Sequence, residues 1–457
     1  MLRRFGARRG ELAQPAAATA GAASATPEPE AVVSETGLTN AAAQAEGAGE
    51  SRASGRGWFS WKRLILASLA LMFLVAGAAY TQKDQITPKA ADLSRAVIGD
   101  ERTARVEGWF FTLEDRSNKL KYRVMGGAED PFEVREIQVQ FVPREAAREV
   151  TFFVGTTRHI GQSLTAEALG PLPLTPPKTM LIQSSPQPGE GVWTPQGLPR
   201  STPADTLMTK TFIRPDKSRP YASVGILLVD SRRVHLKMVG GTAEPGGDRG
   251  VRGPGIIPKE DYKTLLVAFN GGFKGPHGGF GMVANGKEYM KMRNGLATVC
   301  VAKDGSIKMG EFGRDFSWEE SFEACRQNAV LLVDHGEVSK RTTEGNDTWG
   351  YVNVNSSEFI TWRSAVGVTK DGNLLIASGN SLSADSLARA LHAAGAYMAM
   401  QLDINGPYIC TGLFYPQPDG SLKAEKFMDT MAPSASNFLG TRERDFFYLT
   451  FDETRYR

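Results

Sequence analysis

A run of strand-forming residues, 264–269 (Thr-Leu-Leu-Val-Ala-Phe), feeds directly into 270–281, Asn-Gly-Gly-Phe-Lys-Gly-Pro-His-Gly-Gly-Phe-Gly, where six of twelve residues are glycine. Glycine admits positive φ and lets the backbone approach a ligand closely. A buried strand that ends in such a loop sets a sheet edge and hangs Asn270 and Phe273 on it. A flexible hairpin is the plain alternative. The functional reading gains weight from a second turn of the same kind at 401–406, Gln-Leu-Asp-Ile-Asn-Gly. The two turns have to meet in space to build a site.

The 457 residues leave room for two or three domains, at ~100–200 residues each. Basic and acidic side chains nearly balance, 53 against 50, which argues against a nucleic-acid partner, whose protein face is concentrated in positive charge. Three cysteines, Cys300, Cys325 and Cys410, are too few for a disulfide framework. One bridge is possible outside the cytosol. Cys300 and Cys325 are then the pair, because both flank the same strand-rich segment, and three buried thiols are the alternative. No Cys/His grouping has zinc-ligand spacing, and no metal or cofactor is expected.

Residues 1–57 are rich in Ala, Gly, Glu, Ser and Pro. Such a segment cannot bury enough apolar surface to offset its ordering entropy, so a disordered cytoplasmic tail is predicted. Residues 58–81 read as a transmembrane anchor. Residues 64–80 are seventeen in a row without a charge, preceded by Trp58, Trp61, Lys62 and Arg63. A bilayer-crossing helix takes about 17–25 apolar residues, and the basic side stays in the cytoplasm. The expectation is a single-pass protein whose main domain is extracytoplasmic, in a periplasm. A cleaved signal peptide is the alternative, with a small-residue site at 76–78.

Residues 82–104 are polar and read as a stalk. Residues 105–169 read as a small accessory β-rich region, with strands at 106–112, 137–142 and 150–154. In the middle one, Ile137, Val139 and Phe141 alternate. Residues 170–205 are proline-rich, a stiff linker or a strap over the surface. The main domain is 206–457. Strands are expected at 221–230, 234–239, 265–269, 329–333, 365–369, 374–378 and 397–402. A helix is expected at 383–394, with Ser383 as its cap and Gly395 at its end. Many strands with few helices predict an α+β fold built on a mixed sheet.

Three polar residues stand at the ends of apolar strands: Asn270, Arg363 and Asp403. Singly, each has a structural explanation, since Asn and Asp start turns and Arg caps strand ends. Together they suggest chemistry. Arginine grips an anionic oxygen group in bidentate fashion, a carboxylate can move a proton or serve glycosyl chemistry, and Asn270 with the Gly271 and Gly272 amides can orient oxygens.

The order Asn-Gly-Gly-Phe at 270–273, Arg-Ser-Ala-Val-Gly at 363–367 followed by Asp371-Gly372, then a helix, then Gln-Leu-Asp at 401–403 resembles the phosphodiester glycosidase domain family (uncovering-enzyme-like). The resemblance covers about residues 206–457. It implies hydrolysis of a sugar-1-phosphodiester, with Asp403, Arg363 and Asn270 catalytic. Read from the loops themselves, Gly271, Gly272, Phe273, His277, Ser364, Gln401, Asn405 and Gly406 are candidates to bind substrate, and Glu244 and Asp248 are candidates for a second acid. A surface loop is the plain reading of 240–248, as is a solvated histidine of His277. The third motif departs from the family pattern, with Ile404 and Asn405 for two glycines and Pro407 and Tyr408 for two serines. A non-catalytic envelope glycan-binding protein on the same scaffold is therefore the second reading. A structural envelope protein whose accessory region docks a partner is the third.

Overall fold

The computed structural model describes residues 93–95, 97–126, 130–132, 152–154, 157–159, 174–246, 250–350 and 359–452. The tail, the 64–80 run, the expected strand at 137–142 and Asp248 lie outside them. Among the described residues, no helix is long and apolar enough to cross a membrane.

Helix α1 (Asp100–Met125) comes first, then a short antiparallel hairpin of β1 (Phe152–Val154) and β2 (Thr157–His159). Next come β3 (Met208–Ile213), β4 (Val224–Val229), β5 (Val234–Val239) and β6 (Leu265–Asn270). β7 (Met282–Ala284), β8 (Lys287–Met290), β9 (Ala297–Ala302), β10 (Ile307–Glu311) and β11 (Phe322–Gln327) follow. Then come β12 (Leu331–Asp334), β13 (Glu337–Val338), the single-turn α2 (Asn346–Trp349), β14 (Thr361–Thr369), β15 (Leu374–Leu382), α3 (Ala384–Ala393) and β16 (Ala396–Ile404). The described chain ends on β17 (Thr411–Pro416), β18 (Leu422–Lys426) and β19 (Phe446–Phe451).

The larger sheets are antiparallel. Seven strands run in the order β13-β12-β16-β14-β15-β4-β3, five in the order β18-β17-β6-β19-β5, and five in the order β10-β9-β11-β7-β8. With so many strands and so few helices, the fold is β-rich α+β. Side chains alternate along β14 and β16, which gives the seven-stranded sheet two apolar faces. Ala365 and Ala399 lie with Leu387, Ala390 and Leu391 of α3. Val366, Val368, Met398, Met400 and Leu402 lie with Val267, Phe269, Leu413 and Phe447 of the β6 sheet. The candidate site forms where these two sheets meet.

Helix α3 is held as its residues dictate. Ser383 Oγ accepts the Ser386 amide at 3.1 Å, Ser386 Oγ accepts the Ser383 amide at 2.9 Å, and Asp385 stands in the first turn. The proline-rich stretch from 174 to 205 lies against the domain as a strap: Met180 donates its amide to Ala393 O at 2.9 Å, and the buried Glu190 carboxylate pairs with Arg214 at 2.8 Å. Cys300 and Cys325 face each other across β9 and β11 and form a disulfide, while Cys410 is buried outside it, its Sγ donating to Pro433 O at 3.5 Å.

The strand expected at 106–112, at the head of the accessory region, is corrected: these residues are part of α1, which also takes in the end of the expected stalk. Segment 100–125 has no proline and is rich in Glu, Arg, Lys and Leu, which lose little on entering a helix. Phe111, Asp115, Asn118 and Tyr122 recur at helical spacing, and all four contact the domain.

Candidate functional site

Strand β6 drives Asn270 to the sheet edge, and β19 lies beside it with Phe446 opposite Asn270. The Asn270 amide group donates to Ser364 Oγ at 2.9 Å and to Gly271 O at 3.0 Å, and its Oδ1 accepts the Cys410 amide at 3.3 Å. Ser364 Oγ donates in turn to Asp403 O at 3.0 Å. One chain of hydrogen bonds thus joins the ends of β6, β14 and β16, and Asn270, Ser364 and Asp403 share one locus.

The Asp403 side chain is buried. One carboxylate oxygen meets Arg444 Nη2 at 2.5 Å and the other accepts the Ile404 amide at 2.9 Å. Burial pushes its carboxyl up to about 6, and Asp445 pushes the same way, while Arg444, the Ile404 amide and Lys274 oppose the rise. The Arg444 guanidinium also lies over the Tyr408 ring, 4.3 Å from its centre. Its Nη1 is buried without a hydrogen-bond partner, and so is Nε of the neighbouring Arg442. Unmet buried N–H groups are costly. The one on Arg444, the arginine paired with the Asp403 carboxylate, marks a place where an anionic, oxygen-rich group would be held, while the Arg442 guanidinium lies over the Phe438 ring at 4.6 Å.

The glycine loop is clamped from below. Arg326 donates to both Asp445 carboxylate oxygens, at 2.9 and 3.3 Å, and to Phe273 O at 2.6 Å. Asn328 accepts the Phe273 amide at 3.1 Å and donates to Gln401 O and Leu402 O. The amide of Gly272 points at Asp445 at 3.4 Å, so it is turned to the clamp. Glu244 reaches the same loop, accepting the Gly275 amide at 3.4 Å, and its peptide segment is pinned to Glu443. His277 ends the short turn Gly275–His277 and is half-buried.

Arg363 does not join this group, and its expected convergence with Asn270 and Asp403 is corrected. Its guanidinium is 1% exposed and donates to Leu382 O (3.0 Å), Trp349 O (3.4 Å), Gln401 Oε1 (2.6 Å) and Phe359 O (2.8 Å). Neighbouring residues of a strand project to opposite faces; Ser364 takes the site side and Arg363 the α3 side. Burial lowers the Arg363 pKa to about 9. Gln401 goes with it, its amide group bonded to Trp349 O at 2.9 Å. Asn405 has a turn-forming part: at φ 73 it accepts the Thr361 hydroxyl at 3.0 Å. Gly406 packs against Trp362, which a Cβ there would meet at 3.2 Å.

The sequence reading missed Arg444, Arg442, Asp445 and Arg326. Its own rule finds the first three when turned around: the charged run 442–445 stands at the start of the apolar strand β19. Elsewhere among the described residues, Asp315, Asp334 and His335 have metal-ligand geometry. Arg314 already spans both carboxylates at 2.7 Å, and no metal centre is assigned there.

Residues 263–403 match the phosphodiester glycosidase family model. Among solved structures, the chain is similar to the catalytic domain of zebrafish N-acetylglucosamine-1-phosphodiester alpha-N-acetylglucosaminidase, auto-inhibited by its pro-peptide. The identity is 20% and the TM-score 0.36, over 56% of this chain and 87% of that one. It is also similar to a hypothetical protein from Synechocystis (12% identity, TM-score 0.29, covering 50% and 59%). A putative exported protein from Burkholderia pseudomallei matches at 13% identity and TM-score 0.25, covering 50% and 74%. No curated protein matches.

Proposed function

We propose that this chain, whose residues 263–403 carry a phosphodiester glycosidase domain, hydrolyses sugar-1-phosphodiester linkages in envelope glycans from an extracytoplasmic position. The observation that carries the reading is the pairing of a buried carboxylate, Asp403, with Arg444, an arginine that also holds an unmet buried N–H group. Such a site offers a place for a phosphate and a carboxylate next to it. Water would attack C1 of the sugar as the C1–O bond breaks, leaving a phosphomonoester. The leaving phosphate already bears charge, so it needs little protonation, and one carboxylate is enough where ordinary glycosidases use two. Ionised Asp403 would stabilise the oxocarbenium-like centre and draw the proton from the water. Arg444 would hold the phosphate, the part first expected of Arg363. Asn270 and Ser364 fix the peptide that carries Asp403. Glu244 stands at the glycine loop as a further acid.

The test is turnover of a synthetic sugar-1-phosphodiester, read as released phosphomonoester. Asp403→Asn should lower kcat by about 10²–10⁴-fold with little change in KM. Arg444→Gln should raise KM as well. Full turnover by a folded Asp403→Asn protein would sink the assignment. A second reading, binding without hydrolysis, draws on the Arg444 contact that closes over Asp403 and on the turn Gly406–Tyr408 beside it. It predicts affinity for the same ligand with no product.

The disulfide between Cys300 and Cys325 suits an oxidising compartment. It supports the extracytoplasmic placement together with the charge-free run at 64–80.

A further inference from the structure

Helix α1 has two faces of different chemistry. Toward the domain, the Phe111 ring meets Phe359 edge-on at 5.7 Å, and Asp115 takes hydrogen bonds from Arg219 at 3.2 Å and from the Tyr221 hydroxyl at 2.5 Å. Asn118 donates to Ser381 Oγ at 3.4 Å, and Tyr122 stands 6.1 Å from the Tyr221 ring. On the other side, Val106, Trp109, Leu113, Leu120 and Val124 are 48%, 60%, 41%, 62% and 76% exposed. At 100° per residue, these five fall within an arc of about 60°. They form one apolar stripe along the helix, turned away from the domain.

The exposed charges of α1 among the described residues are mostly basic. Arg116 and Arg123 are exposed along one margin of the stripe and Lys121 along the other, and Arg102 is exposed within its arc, one turn before Val106. Of the described acidic side chains, Glu107 and Asp115 are turned to partners within the molecule, Arg95 at 2.7 Å and Arg219 at 3.2 Å, while Glu114 is exposed on the same margin as Lys121 and accepts from Asn380 at 2.9 Å. The outer face therefore joins apolar side chains to flanks in which basic side chains outnumber the single exposed acid, Glu114, the pattern of a helix that lies in a lipid–water interface. Tryptophan suits that depth, with an apolar body and a polar edge. A second copy of α1 is a poor occupant, since pairing would set Arg102, Arg116 and Arg123 of the two copies against one another. Along the chain, residues 81–99 alone separate α1 from the charge-free run at 64–80.

We propose that the stripe Val106–Trp109–Leu113–Leu120–Val124 with its mostly basic flanks is a docking surface for an anionic bilayer. Helix α1 lies in the headgroup layer with the domain resting on its inner face. The apolar side chains enter the acyl boundary, and the arginines and Lys121 meet lipid phosphates.

The experiment uses the full chain reconstituted into vesicles of phosphatidylcholine, with or without about one-third phosphatidylglycerol. An environment-sensitive fluorophore is placed at Leu113→Cys, and at Glu320→Cys, an exposed residue away from α1, as reference. The native cysteines are either bridged or buried. In anionic vesicles, the label at 113 should shift to the blue. A headgroup-level nitroxide lipid should quench it at least about twofold more than the reference. Combining Arg116→Glu, Lys121→Glu and Arg123→Glu should remove most of that difference. The proposal is overturned if the label at 113 stays as water-accessible as the reference in anionic vesicles. It is equally overturned if labels at 113 lie close to one another in neutral and anionic vesicles alike, because a second copy then covers the stripe.

Discussion

Asp403 is held where its ionised form is disfavoured, and that has a measurable pH signature. Its pKa in the fold is about 6, above the ordinary ~3.9 of an unfolded aspartate. The folded state therefore binds this proton more tightly. The group's contribution to stability is greatest below about pH 4, falls as pH rises toward 6, and levels off above it. If ionised Asp403 works on the sugar, kcat/KM should climb through a limb near pH 6. Arg444 lowers this pKa, so Arg444→Gln should move the limb to higher pH, beyond its effect on KM. A pH profile with no limb in that region, or one that Arg444→Gln shifts downward, would tell against Asp403 as the titrating group. At this scale, the sequence marks Asn270 and Asp403 because each polar residue closes an apolar run at a glycine turn. It does not mark the face of Arg363. Adjacent residues on a strand point opposite ways, and only the register of β14 with β16 decides which of Arg363 and Ser364 meets the site.

Between elements, the site depends on how closely β6 and β19 approach beyond their last paired residues. A Cβ on Gly271 would lie 2.0 Å from Asp445 Oδ2 and 2.7 Å from the Asp445 backbone oxygen. The first contact can be relieved only by pulling Asp445 from Arg326, and the second only by moving the strand. Gly271→Ala should cost about 1–3 kcal/mol, seen as a fall in Tm of about 2–4 °C per kcal/mol, with activity lost in proportion to the displaced clamp. An unchanged Tm would mean that the two elements are less tightly apposed than these distances require. The β-rich domain was largely legible at this level. Apolar runs at 234–239, 265–269 and 374–378 are strands, and the spaced apolar face after Ser383 is a helix. The segment that holds Cys300 and Cys325 reads as strand-rich, but the individual strands of the β7–β11 sheet, such as Ala297–Ala302 and Phe322–Gln327, were not placed. Helix α1 was misread because the aromatic run Trp109-Phe110-Phe111 looks like a strand until the i, i+4, i+7, i+11 recurrence through Tyr122 is followed.

For the molecule as a whole, the proposed placement relative to a membrane rests on charge. Arg52, Arg56, Lys62 and Arg63 precede the uncharged run at 64–80, while residues 81–99 carry a mixture of signs. Positive residues beside an apolar span are retained in the cytoplasm, so the domain from 206 onward should be outside. That side matters for the proposed chemistry, since envelope glycans are met there, and for the Cys300–Cys325 bridge, which cytosolic thiols would tend to reduce. A reporter that is active only outside the cytoplasm, fused after Arg457, should give signal, and one placed ahead of Trp58 should not. Changing Arg52, Arg56, Lys62 and Arg63 together to uncharged residues should weaken that asymmetry, because the bias rests on those four charges and not on the apolar run itself. Cytoplasmic activity of the C-terminal fusion would remove the extracytoplasmic placement. The Asp403 chemistry, which depends on local geometry alone, would still stand or fall by its own kinetics.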